Sequence, residues 1–266
     1  MILSHEIVGS GEPLIFLHGL GADRSQSTGA FSQAAHKGAF QLIAVDFRSH
    51  GDSIDDSTGT ALHFDAFADD IIRLMDHLEL ETAYVGGLSM GSAVTLNLAL
   101  RYPERLRDII ILRPSWLDQT HPAQLELVAK VGHWIEEHGL FQSEALLQAD
   151  QDFIALHERE PTVAASITPL HSRPQAINGA SVLYKMYESR PFRDLECLSE
   201  ISHRALVLDT THDDLHPQSV AQQIAHHLPN VQDHLTLPPR YLKKEEYNTA
   251  LNQAVLHFLE TSTPTK

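Results

Sequence analysis

The sequence contains one cysteine, Cys197, and has no long apolar run. A lone cysteine excludes an intramolecular disulfide and agrees with a reducing compartment. The longest unbroken apolar runs, such as residues 14–17 and 109–112, have four residues, whereas a membrane-spanning helix needs about 20. The first residues show neither the basic nor the apolar stretch of a signal peptide. We therefore expect a cytoplasmic protein that does not span a membrane.

Positive charge is also scarce, because 19 Lys and Arg residues stand against 35 Asp and Glu residues and give a net charge of −16. Without a concentrated basic stripe, a nucleic acid would be repelled. The 18 histidines are scattered, with neither an HExxH motif nor a Cys/His cluster, so no metal site is expected. These features favour a small molecule as the partner, with no nucleic acid, no membrane and no cofactor.

Short apolar runs alternate with helical patterns along most of the chain, which is typical of parallel strands joined by crossover helices. The predicted strands are residues 14–17, 42–45, 83–85, 109–112, 205–208 and, more weakly, 235–237. Between about 114 and 200 the alternation gives way to helical segments separated by prolines. The prediction is an α/β fold with a mostly parallel, doubly wound sheet formed by residues 1–113 and 201–266, and an inserted helical cap over residues 114–200.

The pentapeptide Gly87-Leu88-Ser89-Met90-Gly91 matches G-x-S-x-G. The motif alone is weak, but it lies directly after a predicted strand and directly before a predicted helix, which is the context that a nucleophilic serine needs. Such a sharp turn strains the serine backbone, and glycines on both sides relieve crowding between strand and helix. Ser89 is therefore the candidate nucleophile.

With this motif in place, the chain resembles the α/β-hydrolase fold superfamily over almost its whole length. Leu17-His18-Gly19-Leu20-Gly21 is similar to the family's HG-x-G loop, and by that match the backbone amides of Leu20 and Met90 form an oxyanion hole. Residues 46–53 are similar to the family's D-x-R-G-H-G-x-S stretch, so Arg48 and His50 are expected to be structural. The family places its acid four residues before a proline, and by that count the acid is Asp213, with Asp214 a solvated carboxylate.

The resemblance fails at the general base. The family carries a histidine in the loop after its last strand, but residues 235–243 contain none, and Arg240 and Tyr241 stand in that neighbourhood. An arginine cannot accept the serine proton. His216, three residues after Asp213, has the D-x-x-H spacing by which the unrelated SGNH-type hydrolases present acid and base from one loop, and it is the base that we expect. His234 and His257 are the poorer alternatives.

Arg113 and Trp116 follow a predicted strand at its carboxyl end, where α/β sheets bind ligands. Arg113 could pair with a substrate carboxylate or phosphate, and Trp116 could supply an apolar wall. An arginine that is salt-bridged to the acidic cap is the competing interpretation for Arg113.

The reaction expected from these residues is hydrolysis of a small carboxylic ester, thioester or lactone by a serine hydrolase. A serine in the turn disfavours dehalogenase and epoxide-hydrolase chemistry, which needs an attacking carboxylate. Two alternatives stay open. The loss of the late histidine suits a degraded member that only binds a ligand, and Arg113 suits a lyase or isomerase that acts on an acidic metabolite at the same site.

Overall fold

A computed structural model describes residues 1–53 and 61–262. Its centre is a seven-stranded sheet in the order β1-β3-β2-β4-β5-β6-β7. The strands are β1 (His5–Gly9), β2 (Pro13–Leu17), β3 (Gln41–Val45), β4 (Ala83–Leu88), β5 (Leu106–Leu112), β6 (Ala205–Thr210) and β7 (Val231–Leu237). β1 pairs antiparallel with β3, and every other pairing is parallel. The mostly parallel α/β sheet predicted from the sequence is confirmed.

The central strands form where short apolar runs can be buried on both faces. Every residue of β4 and of β6 is buried. Alternate residues of β2 belong to two different apolar clusters, with Ile15 in one and Leu14 and Phe16 in the other. The sheet therefore separates two cores, and the helices cover both.

Nine α-helices flank the sheet or lie between its strands in the described part of the chain. They are α1 (Ser25–His36), α2 (Phe64–His77), α3 (Met90–Arg101), α4 (Glu126–Ala149), α5 (Gln151–Arg159), α6 (Pro161–Ala164), α7 (Ala180–Tyr187), α8 (Gln218–His227) and α9 (Lys244–Glu260). α2 is amphipathic, with apolar residues at three- and four-residue spacing buried on one side. No helix in the described part of the chain is long and apolar enough to cross a bilayer.

The segment between β5 and β6 is helical, with α4 to α7 and no strand among its described residues. α4 is broken at Gly139, whose φ of 77° is not helical. α4 also packs closely on α7, because a Cβ atom on Gly132 would lie 2.9 Å from the carbonyl oxygen of Ala180. The side chains of Leu125, Val128 and other residues of this segment reach the cavity at the carboxyl edge of the sheet.

Candidate active site

The candidate site lies where loops leave the carboxyl ends of neighbouring parallel strands. Leu20 follows β2, Ser89 follows β4, Arg113 follows β5, Asp213 follows β6 and Arg240 follows β7. β2, β4, β5, β6 and β7 are adjacent in that order. Residues far apart in sequence therefore meet at one edge of the sheet, which is where open α/β sheets bind ligands.

Ser89 forms a strained turn between β4 and α3, with φ 56° and ψ −113°. Few residues other than glycine adopt a positive φ, and such backbone strain is concentrated at functional sites. The two glycines of the motif are required by close approach. A Cβ on Gly87 would lie 2.2 Å from the carbonyl carbon of Gly91, and a Cβ on Gly91 would lie 2.3 Å from the carbonyl oxygen of Leu17. The backbone can make this turn only with glycine at both positions.

The Ser89 hydroxyl lies 3.2 Å from the Ser115 hydroxyl. Ser115 donates its one proton to the carbonyl oxygen of Leu215 at 2.7 Å, so Ser89 is the donor in the contact between the two serines. No motif in the sequence assigns Ser115 a role. β4 and β5 are adjacent parallel strands, so the residues that follow them must lie close together. Recognition of that adjacency could have identified Ser115 as a neighbour of Ser89.

His216 and Asp213 are joined directly, with Nδ1 of the imidazole 2.9 Å from Oδ1 of the carboxylate. Both side chains are buried. Arg113 Nη2 also lies 3.0 Å from the same Nδ1. A carboxylate is the strongest acceptor nearby, so Nδ1–H donates to Asp213. This tautomer leaves the lone pair on Nε2, for which the described residues provide no hydrogen-bond partner.

The electrostatics keep His216 neutral and Asp213 ionised. Burial lowers the pKa of His216, and the charges of Arg113 and Arg240 lower it further, while Asp213 opposes the shift. Burial alone would raise the pKa of Asp213, but His216 and Arg113 together hold it well below its usual value. A neutral imidazole that is oriented by an ionised carboxylate is the state that a general base requires.

Ser89 and His216 line one cavity of about 390 Å³, which is called the Ser89 cavity below. Leu20 and Leu170 also contribute to its wall. The loop after β6, residues 211–217, is called the acid loop below. A larger cavity of about 640 Å³ is lined by Asp213 and Asp214 of this loop, but by neither Ser89 nor His216. The larger cavity would be the candidate active site by volume alone, but only the smaller one is lined by both Ser89 and His216.

Two backbone N–H groups near Ser89, those of Leu20 and Met90, have no acceptor among the described residues. In the HG-x-G segment, the N–H of Gly19 donates to Gln26 and that of Gly21 donates to His50, but the N–H of Leu20 donates to no acceptor among the described residues. Met90 is the first residue of α3, where N–H groups have no intrahelical partner. The loop also passes close to the nucleophile, since a Cβ on Gly19 would lie 3.5 Å from Cβ of Ser89.

Arg113 and Trp116 are placed differently from the sequence expectation. Arg113 is fully buried, and its Nε donates to Oδ2 of Asp213 at 2.8 Å. Trp116 is also fully buried and packs edge-on against Phe64, with ring centroids 5.6 Å apart. Neither is among the described residues that line the Ser89 cavity. Arg113 is ion-paired, but its partner Asp213 follows β6 and lies outside the predicted cap, residues 114–200. The motive for a lyase that acts on an acidic metabolite is lost with this pairing.

The other candidate bases lie away from the cavity. His234 is in the middle of β7, and its Nε2 lies 2.8 Å from Oδ2 of Asp209. His257 is exposed on α9. His50, expected to be structural, accepts the N–H of Gly21 at 3.1 Å, and burial holds its pKa well below the usual value. Among the described residues, no group of three His, Cys, Asp or Glu side chains is placed to hold a metal ion.

The site can be set beside known proteins. A dihydrolipoyllysine-residue acetyltransferase component of the acetoin cleaving system from Pseudomonas putida is 31% identical over 112 residues, which cover 41% of this chain and 28% of that protein. The first curated relatives are matched over less than half of their own length. An (E)-2-((N-methylformamido)methylene)succinate hydrolase from Acinetobacter baylyi is 25% identical over 96% of this chain and 92% of that protein.

Solved structures show the same fold. The enol-lactonase from Burkholderia xenovorans LB400 superposes with a TM-score of 0.74 at 22% identity, covering 97% of this chain and 96% of that one. The model of the alpha/beta hydrolase fold family matches residues 12–239. Together with the sheet order and the G-x-S-x-G turn, this match establishes that the chain belongs to the alpha/beta hydrolase family.

Proposed function

We propose that the protein is a cofactor-independent serine hydrolase that cleaves a small carboxylic ester, thioester or lactone through an acyl-enzyme. One observation carries the proposal. Ser89, at the apex of a strained turn, and His216, held by Asp213, line the same cavity. The nucleophile, the base and the group that orients the base are the three parts that nucleophilic acyl transfer needs. The Acinetobacter relative is named a hydrolase, which supports a hydrolytic reaction.

In the proposed reaction, the Ser89 hydroxyl turns from Ser115 toward Nε2 of His216, gives up its proton and attacks the substrate carbonyl carbon. The tetrahedral intermediate collapses when His216 returns this proton to the leaving oxygen or sulfur. Water then gives a proton to His216 and attacks the acyl-enzyme, and Ser89 leaves with that proton as the carboxylic acid product departs. Asp213 stabilises the transient imidazolium at each stage.

The amides of Leu20 and Met90 would hold the negative oxygen of the tetrahedral intermediate. Both are backbone donors next to Ser89, and neither donates to an acceptor among the described residues. One such donor contributes about 3 kcal/mol to stabilisation of the transition state. Because the donors are fixed by the HG-x-G loop and by the first turn of α3, their orientation costs little when the charge develops.

The dimensions and lining of the Ser89 cavity favour a small substrate. Its volume of about 390 Å³ is at the low end of ligand pockets. Leu125, Val128 and Ile167 line it from the helical segment between β5 and β6. We assign residues 114–200 as a cap that closes the cavity and selects the acyl group, with residues 1–113 and 201–266 as the core domain. The cytoplasm is the proposed compartment.

A fluorophosphonate probe tests the proposal without knowledge of the natural substrate, because it phosphonylates activated serines. We expect labelling of one site, located at Ser89 by peptide mass spectrometry. Labelling should disappear in Ser89→Ala and persist in Ser115→Ala, which removes the neighbouring hydroxyl instead. A wild-type protein that stays unlabelled, although folded, would contradict the hydrolase assignment and favour a protein that only binds a ligand.

A further inference from the structure

The Ser89 cavity differs in charge from the rest of this acidic protein. The chain carries a net charge of −16, yet no Asp or Glu is among the described residues that line the cavity. Arg240 is the one Arg or Lys among those residues, and it shares the wall with Ser89 and His216. The cavity is therefore a locally positive site in a negative molecule.

Arg240 is half-buried and makes no hydrogen bond or ion pair with an acceptor among the described residues. Several other arginines are paired with carboxylates, as Arg24 is with Asp46 and Arg159 with Asp214. Its described contact is with Tyr241, whose ring centroid lies 5.4 Å from the guanidinium carbon. The donors of a guanidinium that faces a cavity without a protein acceptor are available to a ligand.

Tyr241 fixes the position of this guanidinium. Arg113 Nη2 lies 3.5 Å from the Tyr241 hydroxyl, and the Arg113 guanidinium carbon lies 5.6 Å from the centroid of the same ring. Arg113 is itself buried and tied to Asp213. The ring against which Arg240 rests is thus anchored to the same charged group that orients the acid. A preorganised cation loses less side-chain entropy when it binds an anion.

We propose that Arg240 binds a carboxylate of the substrate, so that the protein acts on an ester or lactone that also carries a free carboxylate. This inference rests on the proposed hydrolase function and adds the substrate class to it. The planar guanidinium can donate two parallel hydrogen bonds to a carboxylate. Because no acidic side chain among the described residues of the wall competes, the substrate carboxylate would be its acceptor. The reactive ester lies in the same cavity, next to Ser89.

The kinetic test compares two esters that differ only in charge, monoethyl succinate and diethyl succinate. We expect the wild-type protein to have the higher kcat/KM for the monoester. In Arg240→Gln, the ratio of the two kcat/KM values should fall about 10- to 100-fold, the range for loss of hydrogen bonds to a charged group. Arg240→Lys keeps the charge but not the paired donors, so it should recover part of the ratio.

Lys244→Gln is the matched control, because Lys244 is an exposed cation that shares a second cavity with Arg240 but does not line the Ser89 cavity. We expect this variant to keep the wild-type ratio. An equal fall in Lys244→Gln would show that general charge, and not Arg240, selects the monoester. A ratio that Arg240→Gln leaves unchanged would overturn the inference, as would a wild-type protein that prefers the diester.

A binding test separates this inference from the hydrolase function. Ser89→Ala protein cannot form an acyl-enzyme, so titration calorimetry with monoethyl succinate measures recognition alone. We expect binding that weakens about 10- to 100-fold when Arg240→Gln is added. Binding that depends on Arg240 in a protein whose Ser89 takes no fluorophosphonate would retain the carboxylate site and reject the hydrolase. Labelling of Ser89 without Arg240-dependent binding would retain the hydrolase function and reject the carboxylate site.

Discussion

Arg113 and Asp213 form a fully buried ion pair, with Nε 2.8 Å from Oδ2 and both side chains inaccessible to solvent. Asp213 uses its other oxygen, Oδ1, for His216. The carboxylate thus contacts a permanent cation on one side and the candidate base on the other. This arrangement holds Asp213 ionised and fixes its orientation, while Arg113 lies behind His216 and Tyr241 and is not itself among the described residues that line the Ser89 cavity.

Replacement of Arg113 by Met should destabilise the protein strongly. It leaves the buried charge of Asp213 without its cation, and removal of one partner of a buried pair costs about 3–5 kcal/mol. We expect that loss in the free energy of unfolding measured with urea. Arg159→Met is the control, because it breaks the exposed pair with Asp214, which contributes about 1 kcal/mol or less. Equal losses in the two variants would contradict the account.

His216→Ala and Asp213→Asn should each lower kcat by about two to four orders of magnitude, the scale for removal of such groups in other serine hydrolases. His216→Ala removes the base, and Asp213→Asn removes the charge that orients it. His234→Ala is the matched control, because that histidine also pairs with an aspartate, Asp209, but lies on β7 away from the cavity. Wild-type turnover in His216→Ala beside an inactive Ser89→Ala would reject the base assignment.

The sequence predicted the sheet because its central strands are short apolar runs that must be buried on both faces. The edge strand β1 was missed. Its five residues, His5–Gly9, are half exposed and contain two β-branched side chains, so the local pattern is weak and pairing with β3 decides the structure. The first turn of α3 was also missed, because the helix begins directly after Ser89.

The sequence predicts the part of the site that one local motif defines, which is the turn at Ser89. It predicts less well which side chains come together where loops from different strands meet. Motif spacing picks out Asp213, and the D-x-x-H spacing picks out His216. Arg113, the partner of Asp213, follows β5, and its position opposite Asp213 depends on the register between β5 and β6, which sequence alone does not supply. The sequence indicated that the Arg113 side chain would bind an anion, but it could not show whether that side chain points to the cavity or to Asp213.

Ser115→Ala should weaken the hold on the acid loop. The Ser115 hydroxyl donates to the carbonyl oxygen of Leu215 at 2.7 Å, across 100 residues of sequence. A buried carbonyl without its donor costs about 1–3 kcal/mol, and we expect that loss in urea unfolding. Ser166→Ala is the control, because its hydroxyl bonds the carbonyl of Val163 within the same turn. An unchanged free energy in Ser115→Ala would show that this bond does not hold the loop.

The acidic limb of the pH profile should report His216. Burial lowers its pKa, and only the neutral imidazole accepts the serine proton. Turnover is therefore present above this pKa and lost as the pH falls through it, which should happen below the ordinary histidine value of about 6.5. The measurement is kcat/KM for a neutral ester from about pH 4 to about pH 9.

Arg240→Gln should move that limb to higher pH. Its guanidinium is one of the cations that lower the pKa of His216, so its removal makes the imidazole easier to protonate. Lys244→Gln removes a charge from a neighbouring cavity and should leave the limb in place. A limb that moves to lower pH in Arg240→Gln would mean that another group titrates. A limb that stays in place in Arg240→Gln would show that Arg240 has no electrostatic influence on the base that we assign to His216.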